Sequence, residues 1–327
     1  MGPGLINGTR IAEVRSALLR IALPPNATVV NLEGKTVMPG LINGHGHLGQ
    51  VRGTTADGHN YMPENVQRQL EQYEHYGVTT VMSLGMNKDL VHELKARQAR
   101  GELGGATILD ADRGIGSPGG MPPVKVGADQ LYRPNSPEEA RRDVDEMAGR
   151  HPDLIKMWID DSLGKLPKMQ PAIYQAVIDE GHKKSLRVAA HLYYGADAQR
   201  LVENGIDVIA HSVRDAAIGP ETVRLIKSRH VYYIPTLQLE ESFYAYAEHP
   251  EWLEVPFFAG ALQAIRCATL GSAEMLHIAG ETGSVAKGKH ADLVVLNGDP
   301  TVEIRNTRQI RVVYHRGKAV RAGQERA

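Results

Sequence analysis

Two histidines separated by a single glycine end an apolar stretch near the beginning of the chain. The stretch reads VMPGLINGHGHLGQ and contains His45 and His47. On a strand, residues two apart point to the same face, so both imidazoles can reach one point, and Gly46 adds no bulk between them. Imidazole is a common metal ligand, and the spacing therefore indicates a site for a metal ion.

A lysine and two more histidines lie in later apolar segments. Lys156 lies within DLIKMWIDD, His191 ends LRVAAH and His211 ends DVIAH. Taken singly, each has a simpler explanation, as a hydrogen-bonded structural histidine or a lysine that faces solvent. In an α/β barrel, however, the carboxyl ends of the strands share one face, where the loops build the active site. The joint pattern favours one metal-binding cluster. A buried Lys156 ammonium would be costly, which suggests that the lysine has a specific role there.

Short apolar segments rich in Val, Ile and Thr alternate with helix-like segments from about residue 37 to residue 240. They show little strict alternation of apolar and polar residues, which is typical of strands buried on both faces of a parallel sheet. One intervening helix is predicted to begin with Ser136 as its N-cap and Pro137 as its first residue. The repeated βα units predict an α/β protein.

The two ends of the chain differ from this core. Short strands interrupted by Gly, Asn and Asp turns occur near both termini. We expect residues 1–38 and 280–327 to form one small β-domain, with residues 39–279 forming the α/β core.

Composition excludes several classes of protein. The formal net charge is -1 and no basic stripe is present, so we expect no nucleic-acid partner. No run approaches the roughly 18 apolar residues of a membrane span, and the N-terminus lacks the pattern of a signal peptide. A cytoplasmic protein with a small-molecule substrate is expected, although a removed signal peptide would leave the same sequence. Exposed faces of the small β-domain favour a homo-oligomer.

The chain contains one cysteine, Cys267, which excludes a disulfide framework and a cysteine-rich zinc site. We expect Cys267 to be a small buried apolar residue.

The motif PGLINGHGHLG, followed by Lys156, His191 and His211 and then by TGSVAKGKHADLVVLNGDP, resembles the amidohydrolase superfamily of metal-dependent hydrolases. The chain is most similar to the branch of imidazolonepropionase-like and prolidase-like members. The resemblance covers nearly the whole chain. It implies a TIM-type (β/α)8 barrel with a small β-sandwich built from both termini.

The resemblance also implies a binuclear metal centre. His45 and His47 would hold the first ion, and His191 and His211 the second. Lys156, carboxylated by carbon dioxide, would bridge the two ions as a carbamate. Zinc is the expected metal for imidazole and oxygen ligands, and a hydroxide shared by the ions would attack a polarised carbonyl.

Two residues next to these positions are candidates for substrate binding. Tyr193 and Arg214 could orient a substrate carboxylate or carbonyl. The alternative is that Tyr193 packs and that Arg214 pairs with Asp215. Tyr194 occupies the position at which the single-metal deaminases of the superfamily carry Glu, which disfavours deamination.

One residue that the resemblance implies is missing. The family has a general-base Asp at the end of the eighth strand, and we find none, since the sequence between Glu240 and Ala259 contains neither an apolar strand nor an Asp. Either the barrel is incomplete at strand 8, or the sequence omits a segment. Omission is favoured because an open barrel would expose unpaired strand edges.

Other carboxylates are expected to serve structure. Asp160 and Asp161 are predicted to hydrogen-bond loop backbone or pair with a neighbouring base, and Asp292 is predicted to be structural. Asp215 could reach the site only from a loop.

Three functions are consistent with these residues. The first is a metal-dependent hydrolase of an amide, such as a dipeptide, an N-acyl amino acid or a cyclic amide. The second is a catalytically incompetent relative that binds a metal or a small molecule without turnover. The third is a lactonase or another esterase that uses the same site.

Overall fold

The computed structural model describes residues 4–16, 21–53, 55–124, 126–236 and 265–320. The strands, in chain order, are β1 (Gly4–Asn7), β2 (Arg10–Val14), β3 (Thr36–Pro39), β4 (Leu41–Gly46), β5 (Val51–Arg52), β6 (Thr55–Ala56), β7 (Val78–Ser83), β8 (Thr107–Asp110), β9 (Ile155–Trp158), β10 (Val188–His191), β11 (Val208–Ala210), β12 (Tyr232–Ile234), β13 (Leu293–Leu296), β14 (Ile310–His315) and β15 (Lys318–Val320). The α-helices are α1 (Pro63–His75), α2 (Leu90–Ala99), α3 (Pro137–Gly149), α4 (Pro171–Lys183), α5 (Gly195–Glu203), α6 (Pro220–Ser228) and α7 (Ser272–Met275).

Two parallel sheets form the centre of the molecule. The first has the strand order β4-β7-β8, and the second has the order β9-β10-β11-β12. Helices connect successive strands, as the alternating segments predict, so the protein is of the α/β class. Ile115, which follows β8, forms a parallel bridge with Met157 in β9 and thereby links the two sheets.

The inner faces of the two sheets share one apolar core. This core contains Ile42 and Met82 from the first sheet and Ala189 and Val208 from the second. Gly44 in β4 also lies beside Ile234, the last residue of β12, because a Cβ at Gly44 would be 3.7 Å from the Cδ1 atom of Ile234. The two sheets therefore approach each other at both edges.

The sequence predicts a closed barrel. In the described ranges the parallel strands instead form two separate sheets, so closure is not observed there. The position expected for the eighth strand, between Glu240 and Ala259, lies outside the described residues.

Helix α3 begins as the sequence predicts. The hydroxyl of Ser136 accepts a hydrogen bond from the backbone N–H of Glu139 at 3.2 Å, and Pro137 is the first helical residue. Such a cap stabilises a helix by about 1 kcal/mol because it satisfies an N–H group that has no partner within the helix. The helix buries Ala140, Val144 and Met147, spaced three or four residues apart, against α4 and the second sheet.

A four-stranded antiparallel sheet contains strands from both ends of the chain. Its order is β15-β14-β13-β3, so a strand near the N-terminus pairs with three strands near the C-terminus. Asp292 stabilises this sheet, as predicted, because its carboxylate accepts hydrogen bonds from the N–H of Arg316 at 2.8 Å and from the hydroxyl of Thr282 at 3.1 Å. The domain boundaries at residues 38 and 280 stay a prediction.

The prediction of a buried Cys267 is wrong. Cys267 begins a π-helical turn, Cys267–Gly271, and its side chain is exposed. Thr269 occupies the inward face of this turn and is 3% exposed, so Cys267 lies on the outer side.

Within the ranges that the structure describes, no helix combines the length and the apolar character needed to cross a bilayer.

Candidate metal centre

The four histidines predicted to cluster lie in mutual contact. The ring centroids of His45 and His47 are 5.3 Å apart, those of His45 and His211 are 4.5 Å apart, and those of His191 and His211 are 4.4 Å apart. His45 belongs to β4 and His47 follows it, whereas His191 ends β10 and His211 follows β11. The carboxyl ends of parallel strands therefore bring these side chains together.

Lys156 lies in β9 and is completely buried beside this cluster. Its Nζ atom is 5.2 Å from the centroid of the Trp158 ring and has no hydrogen-bond partner among the described residues. Burial lowers the pKa of Lys156 from 10.5 to about 7, against the opposing effect of the negative charge on Asp160. The amine is therefore largely uncharged slightly above neutral pH.

Gly85 makes room for Lys156 and Trp158. Its φ is +92°, and a Cβ at this position would lie 2.6 Å from the Trp158 ring and 3.3 Å from the Cγ atom of Lys156. Only glycine combines this backbone conformation with so close an approach.

The surroundings of the histidines favour neutral imidazoles. Burial is the largest cause that lowers the pKa of each ring, and the positive charge of Lys156 lowers all four further. The pKa of His47 falls to about 4, and that of His45 falls well below 6.5. For His191, the contact with Asp160 opposes the decrease in pKa. A neutral ring keeps one nitrogen lone pair, which is what a metal ligand needs.

Outer contacts occupy one ring nitrogen on three of the four histidines. His47 Nδ1 lies 3.4 Å from the carbonyl oxygen of Gly85, and His211 Nδ1 lies 2.8 Å from the hydroxyl of Thr236. His191 Nε2 lies 2.5 Å from Asp160 Oδ2. In each case the opposite nitrogen remains available to a ligand.

These outer contacts could be predicted from the sequence only in part. Asp160 pairs with a base and accepts a hydrogen bond from the N–H of Ser162 at 2.7 Å, which confirms the sequence prediction. Asp161 accepts from Tyr194 and from the N–H of Gly164, again as predicted. Sequence reasoning missed Gly85 and Thr236, which belong to no recognisable motif.

The backbone at His211 is held in an uncommon conformation. Its φ is +79°, in the left-handed region that few non-glycine residues adopt. The N–H of His211 donates to the carbonyl of Ile234 at 2.8 Å. This bond to the end of β12 helps to hold a strained backbone, a feature that often accompanies functional sites.

Tyr193 and Arg214 lie next to the cluster. The guanidinium of Arg214 lies over the Tyr193 ring, 4.8 Å from its centroid, and donates to the carbonyl of Leu192 at 2.9 Å. Asp215 accepts a hydrogen bond from the N–H of Gly195 at 2.8 Å. The positive charge of Arg214 also lowers the pKa of His191 and His211, so it acts on the site electrostatically.

The donor set fits transition-metal ions in type, since imidazole nitrogens are common ligands of such ions. Among the described residues, no three or more His, Cys, Asp or Glu side chains already converge on a single metal position. Three buried nitrogens of the histidine–lysine cluster nevertheless have no hydrogen-bond partner in these ranges: His45 Nδ1, His191 Nδ1 and Lys156 Nζ. Each such atom costs about 1–3 kcal/mol, and a ligand that accepted their lone pairs would offset that cost.

Residues 259–320 match the model of the amidohydrolase family. The fold is also similar to that of a prolidase complexed with N-methylphosphonate-L-proline, with a TM-score of 0.78 over 97% of this chain and 94% of that chain at 22% identity. The family model thus matches the C-terminal part of the chain, and the structural similarity shows a shared fold.

Other solved structures share the fold of this protein. A Xaa-Pro dipeptidase with bound methionine has a TM-score of 0.80 at 21% identity, over 97% of this chain and 94% of that chain. A prolidase-like protein from Bifidobacterium longum has a TM-score of 0.76 at 23% identity, over 98% of this chain and 89% of that chain. These neighbours imply a TIM-type barrel, into which the two parallel sheets fit.

Sequence relatives cover less of the chain. An uncharacterised protein of Mycobacterium tuberculosis is 31% identical over 104 residues, which are 31% of this chain and 27% of the relative. The aligned stretch thus spans little more than a quarter of the length of that curated relative.

Proposed function

We propose that this protein is a metal-dependent hydrolase of the amidohydrolase superfamily that cleaves the C–N bond of a small amide. The observation that carries the proposal is the cluster of four histidines beside the buried Lys156, whose amine has no hydrogen-bond partner among the described residues. His191 and His211 are buried, and His45 and His47 are half-buried. Burying an amine without a hydrogen-bond partner costs free energy, and an apolar side chain would fill the same space without that cost. The lysine therefore indicates a functional role.

His45 and His47 would hold one ion, and His191 and His211 a second, with zinc the expected metal for imidazole and oxygen donors. Bound divalent ions would lower the pKa of a water molecule and polarise a carbonyl oxygen. The histidines are suited to this role because their pKa values are lowered, so that protons compete weakly for the nitrogen lone pairs.

Lys156 would act as a carbamate. Its neutral amine nitrogen forms a bond to the carbon of carbon dioxide and releases a proton, which yields an anion with two oxygen donors. The lowered pKa of about 7 supports this step because only the unprotonated amine is nucleophilic. The product would place a negative group beside four imidazoles, where the free amine is neutral or, when protonated, positive.

Tyr193 and Arg214 would orient the substrate. A guanidinium beside the histidine cluster favours a substrate that carries a carboxylate near the scissile amide. Dipeptides and N-acyl amino acids have this chemistry, and cyclic amides with a carboxylate share it. The prolidase and the Xaa-Pro dipeptidase among the structural neighbours support the same substrate class. The neighbours also include molinate hydrolase and phenylurea hydrolase B, so the fold alone does not select the amide.

One observation favours a second candidate, a relative that binds metal without turnover. The sequence between Glu240 and Ala259 contains no Asp to serve as the general base of an eighth strand. An esterase or lactonase would use the same residues and differ only in the carbonyl attacked.

The experiment is a substrate screen with zinc-loaded protein in bicarbonate buffer. Dipeptides, N-acetyl amino acids, their carboxamide analogues and simple lactones are incubated, and the released amine or acid is quantified by mass spectrometry. Amide hydrolysis should disappear with a chelator and in His45→Ala, and it should persist in His151→Ala, which alters a histidine outside the cluster. Arg214→Gln should raise KM for the carboxylates and leave KM for the carboxamides unchanged.

Full metal content without hydrolysis of any amide would contradict the proposal and support the non-catalytic relative. Hydrolysis of the lactones alone would support the esterase.

A further inference from the structure

We propose that Asn87 is a positioning residue that joins the loop carrying His47 to the segment that pairs with Lys156, and thereby sets the spacing between these two groups. The inference rests on the proposed function for the use of both groups by metal ions. The join itself can be tested in metal-free protein.

The evidence begins with the hydrogen bonds of the Asn87 side chain, which is 1% exposed. Its Oδ1 atom accepts from the hydroxyls of Ser83 at 2.5 Å and of Tyr61 at 3.1 Å. Its Nδ2 atom donates to the carbonyl oxygens of Ser83 and Asp112, each at 2.9 Å. The amide thus uses both of its acceptor positions and both of its donor positions. A fully satisfied buried network of this kind holds its members in one arrangement.

One arm of this network reaches His47. The backbone N–H of Leu48, the next residue in the chain, donates to the Ser83 hydroxyl at 3.1 Å. The bond from Asn87 Nδ2 to the Ser83 carbonyl also closes the turn that contains Gly85. The carbonyl oxygen of Gly85 lies 3.4 Å from His47 Nδ1. Asn87 therefore supports both the backbone next to His47 and the group that contacts its ring.

The other arm reaches the segment beside Lys156. Both the side-chain Nδ2 and the backbone N–H of Asn87 donate to the Asp112 carbonyl, at 2.9 Å and 3.2 Å. Further along the same segment, the N–H of Ile115 donates to the carbonyl of Lys156 at 2.8 Å. The carbonyl of Ile115 in turn accepts from the N–H of Trp158 at 2.9 Å. The segment that begins at Asp112 is thus held by Asn87 at its start and by β9 further along.

The two arms lead to different sheets. Ser83 ends β7 of the first parallel sheet, whereas Lys156 lies in β9 of the second. The bridge between Ile115 and Met157 joins the sheets at this junction. A side chain that is bonded on both sides of the junction can fix the position of His47 relative to Lys156, which strand pairing within either sheet cannot do.

Asn87→Ala is the informative variant because it cuts both arms at once. The Asp112 carbonyl keeps the backbone N–H of residue 87 as a donor, and the Ser83 carbonyl keeps the N–H groups of Gly85 and Ala111. The variant therefore leaves neither of these two carbonyls without a partner, and we expect it to fold.

Two control variants separate the join from general stability. Tyr61→Phe removes one bond to Asn87 Oδ1 and leaves both arms intact. Ser136→Ala removes the N-cap of α3, which lies outside the network. Both should lower the melting temperature of the metal-free protein, so they show what destabilisation alone does to each readout.

The first readout is amide hydrogen exchange in the metal-free protein, measured by NMR. In Asn87→Ala the exchange rates of Leu48 and Ile115 should rise at least about tenfold more than that of Ile209, a buried residue of β11. In the two control variants the three rates should change by similar factors. An Asn87→Ala protein in which Leu48 and Ile115 behave like Ile209 would overturn the inference, whatever the protein does with metal.

The second readout is zinc affinity, measured by competition with a chromophoric chelator well below the melting temperature of every variant. Asn87→Ala should bind zinc at least about tenfold more weakly than wild type, and the two control variants should stay within about twofold. In a Lys156→Ala background the same substitution should cost less than about threefold, because the spacing to Lys156 no longer matters there. An equal loss in both backgrounds would mean that Asn87 supports His47 alone, and it would overturn the inference.

If Asn87→Ala does not fold, Ser83→Ala decides the matter, because it cuts the arm to Leu48. Ser83→Ala should weaken zinc binding more in the wild-type background than in the Lys156→Ala background, and an equal effect in both would overturn the inference. Wild-type protein that bound no zinc would overturn the proposed function and leave the exchange rates to decide whether Asn87 joins the two segments.

Discussion

The rings of His45 and His211 are in contact, with their centroids 4.5 Å apart, although the two residues come from different sheets. His45 belongs to β4 of the first parallel sheet, and His211 follows β11 of the second. The site is therefore assembled where the two sheets meet, and neither sheet contains it alone. Changes that displace one sheet relative to the other should alter the site even when no ligand residue is substituted.

Gly85→Ala should destabilise the protein and disturb the site. The new Cβ would lie 2.6 Å from the Trp158 ring and close to Lys156, on a backbone with a φ of +92°. We expect a loss of about 1–2 kcal/mol from the left-handed backbone and a further 1–3 kcal/mol from overpacking. Urea unfolding of the metal-free protein measures the sum.

Gly101→Ala is the matched control for this prediction. Gly101 has a φ of +73°, and a Cβ there would meet nothing within 4 Å. It should show the backbone cost alone, with zinc affinity unchanged. Equal destabilisation in the two variants would mean that Trp158 moves aside without cost and that Gly85 does not shape the site.

Lys156→Met should stabilise the metal-free protein. The substitution removes a completely buried amine that has no partner among the described residues. A gain of about 1–3 kcal/mol in the free energy of unfolding is expected, measured by urea titration in buffer free of carbon dioxide. Lys165→Met, which alters an exposed lysine, should change stability by less than about 0.5 kcal/mol.

The same variant tests the pKa of Lys156. Between the folded value of about 7 and the unfolded value of 10.5, the unfolded chain binds one more proton at this residue. Wild-type stability should therefore gain up to about 1.4 kcal/mol per pH unit from this group between pH 7 and 9. Lys156→Met should lack that contribution. Parallel pH dependences in the two proteins would contradict the lowered pKa.

Acid should destabilise the metal-free protein through the histidine cluster. At pH 5 the unfolded chain protonates its histidines, whereas folded His47 stays neutral until about pH 4. The unfolded state thus binds more protons, and stability falls as the pH decreases from about 6.5 towards 4. His47→Asn should reduce this fall in chemical denaturation at a series of pH values. An unchanged slope in His47→Asn would contradict the lowered pKa of His47.

Much of the candidate site could be predicted from residue types and their positions in the chain. The carboxyl ends of the strands of an α/β barrel share one face, so the sequence is enough to group His191 and His211 with His45 and His47. The N-cap at Ser136 follows from local chemistry in the same way. The N-cap is determined by a few neighbouring residues, and the histidine cluster follows from one general rule of topology.

The contacts that orient the ligands could not be predicted in the same way. His47 contacts the backbone carbonyl of Gly85, a group that every residue possesses. His211 contacts the hydroxyl of Thr236, which lies at the end of a neighbouring strand. Neither residue type signals that role. Cys267 was predicted wrongly because burial of a helical residue depends on which face the neighbouring core covers, and a π-helical turn shifts that face.

The measurement that tests the central claim most directly is the metal content of the purified protein after loading with zinc in bicarbonate, by inductively coupled plasma mass spectrometry. The proposed ligand set requires two zinc ions per chain, falling to one or fewer in Lys156→Ala. A wild-type content well below one ion per chain would contradict the account, because the four histidines and Lys156 would then form no metal centre.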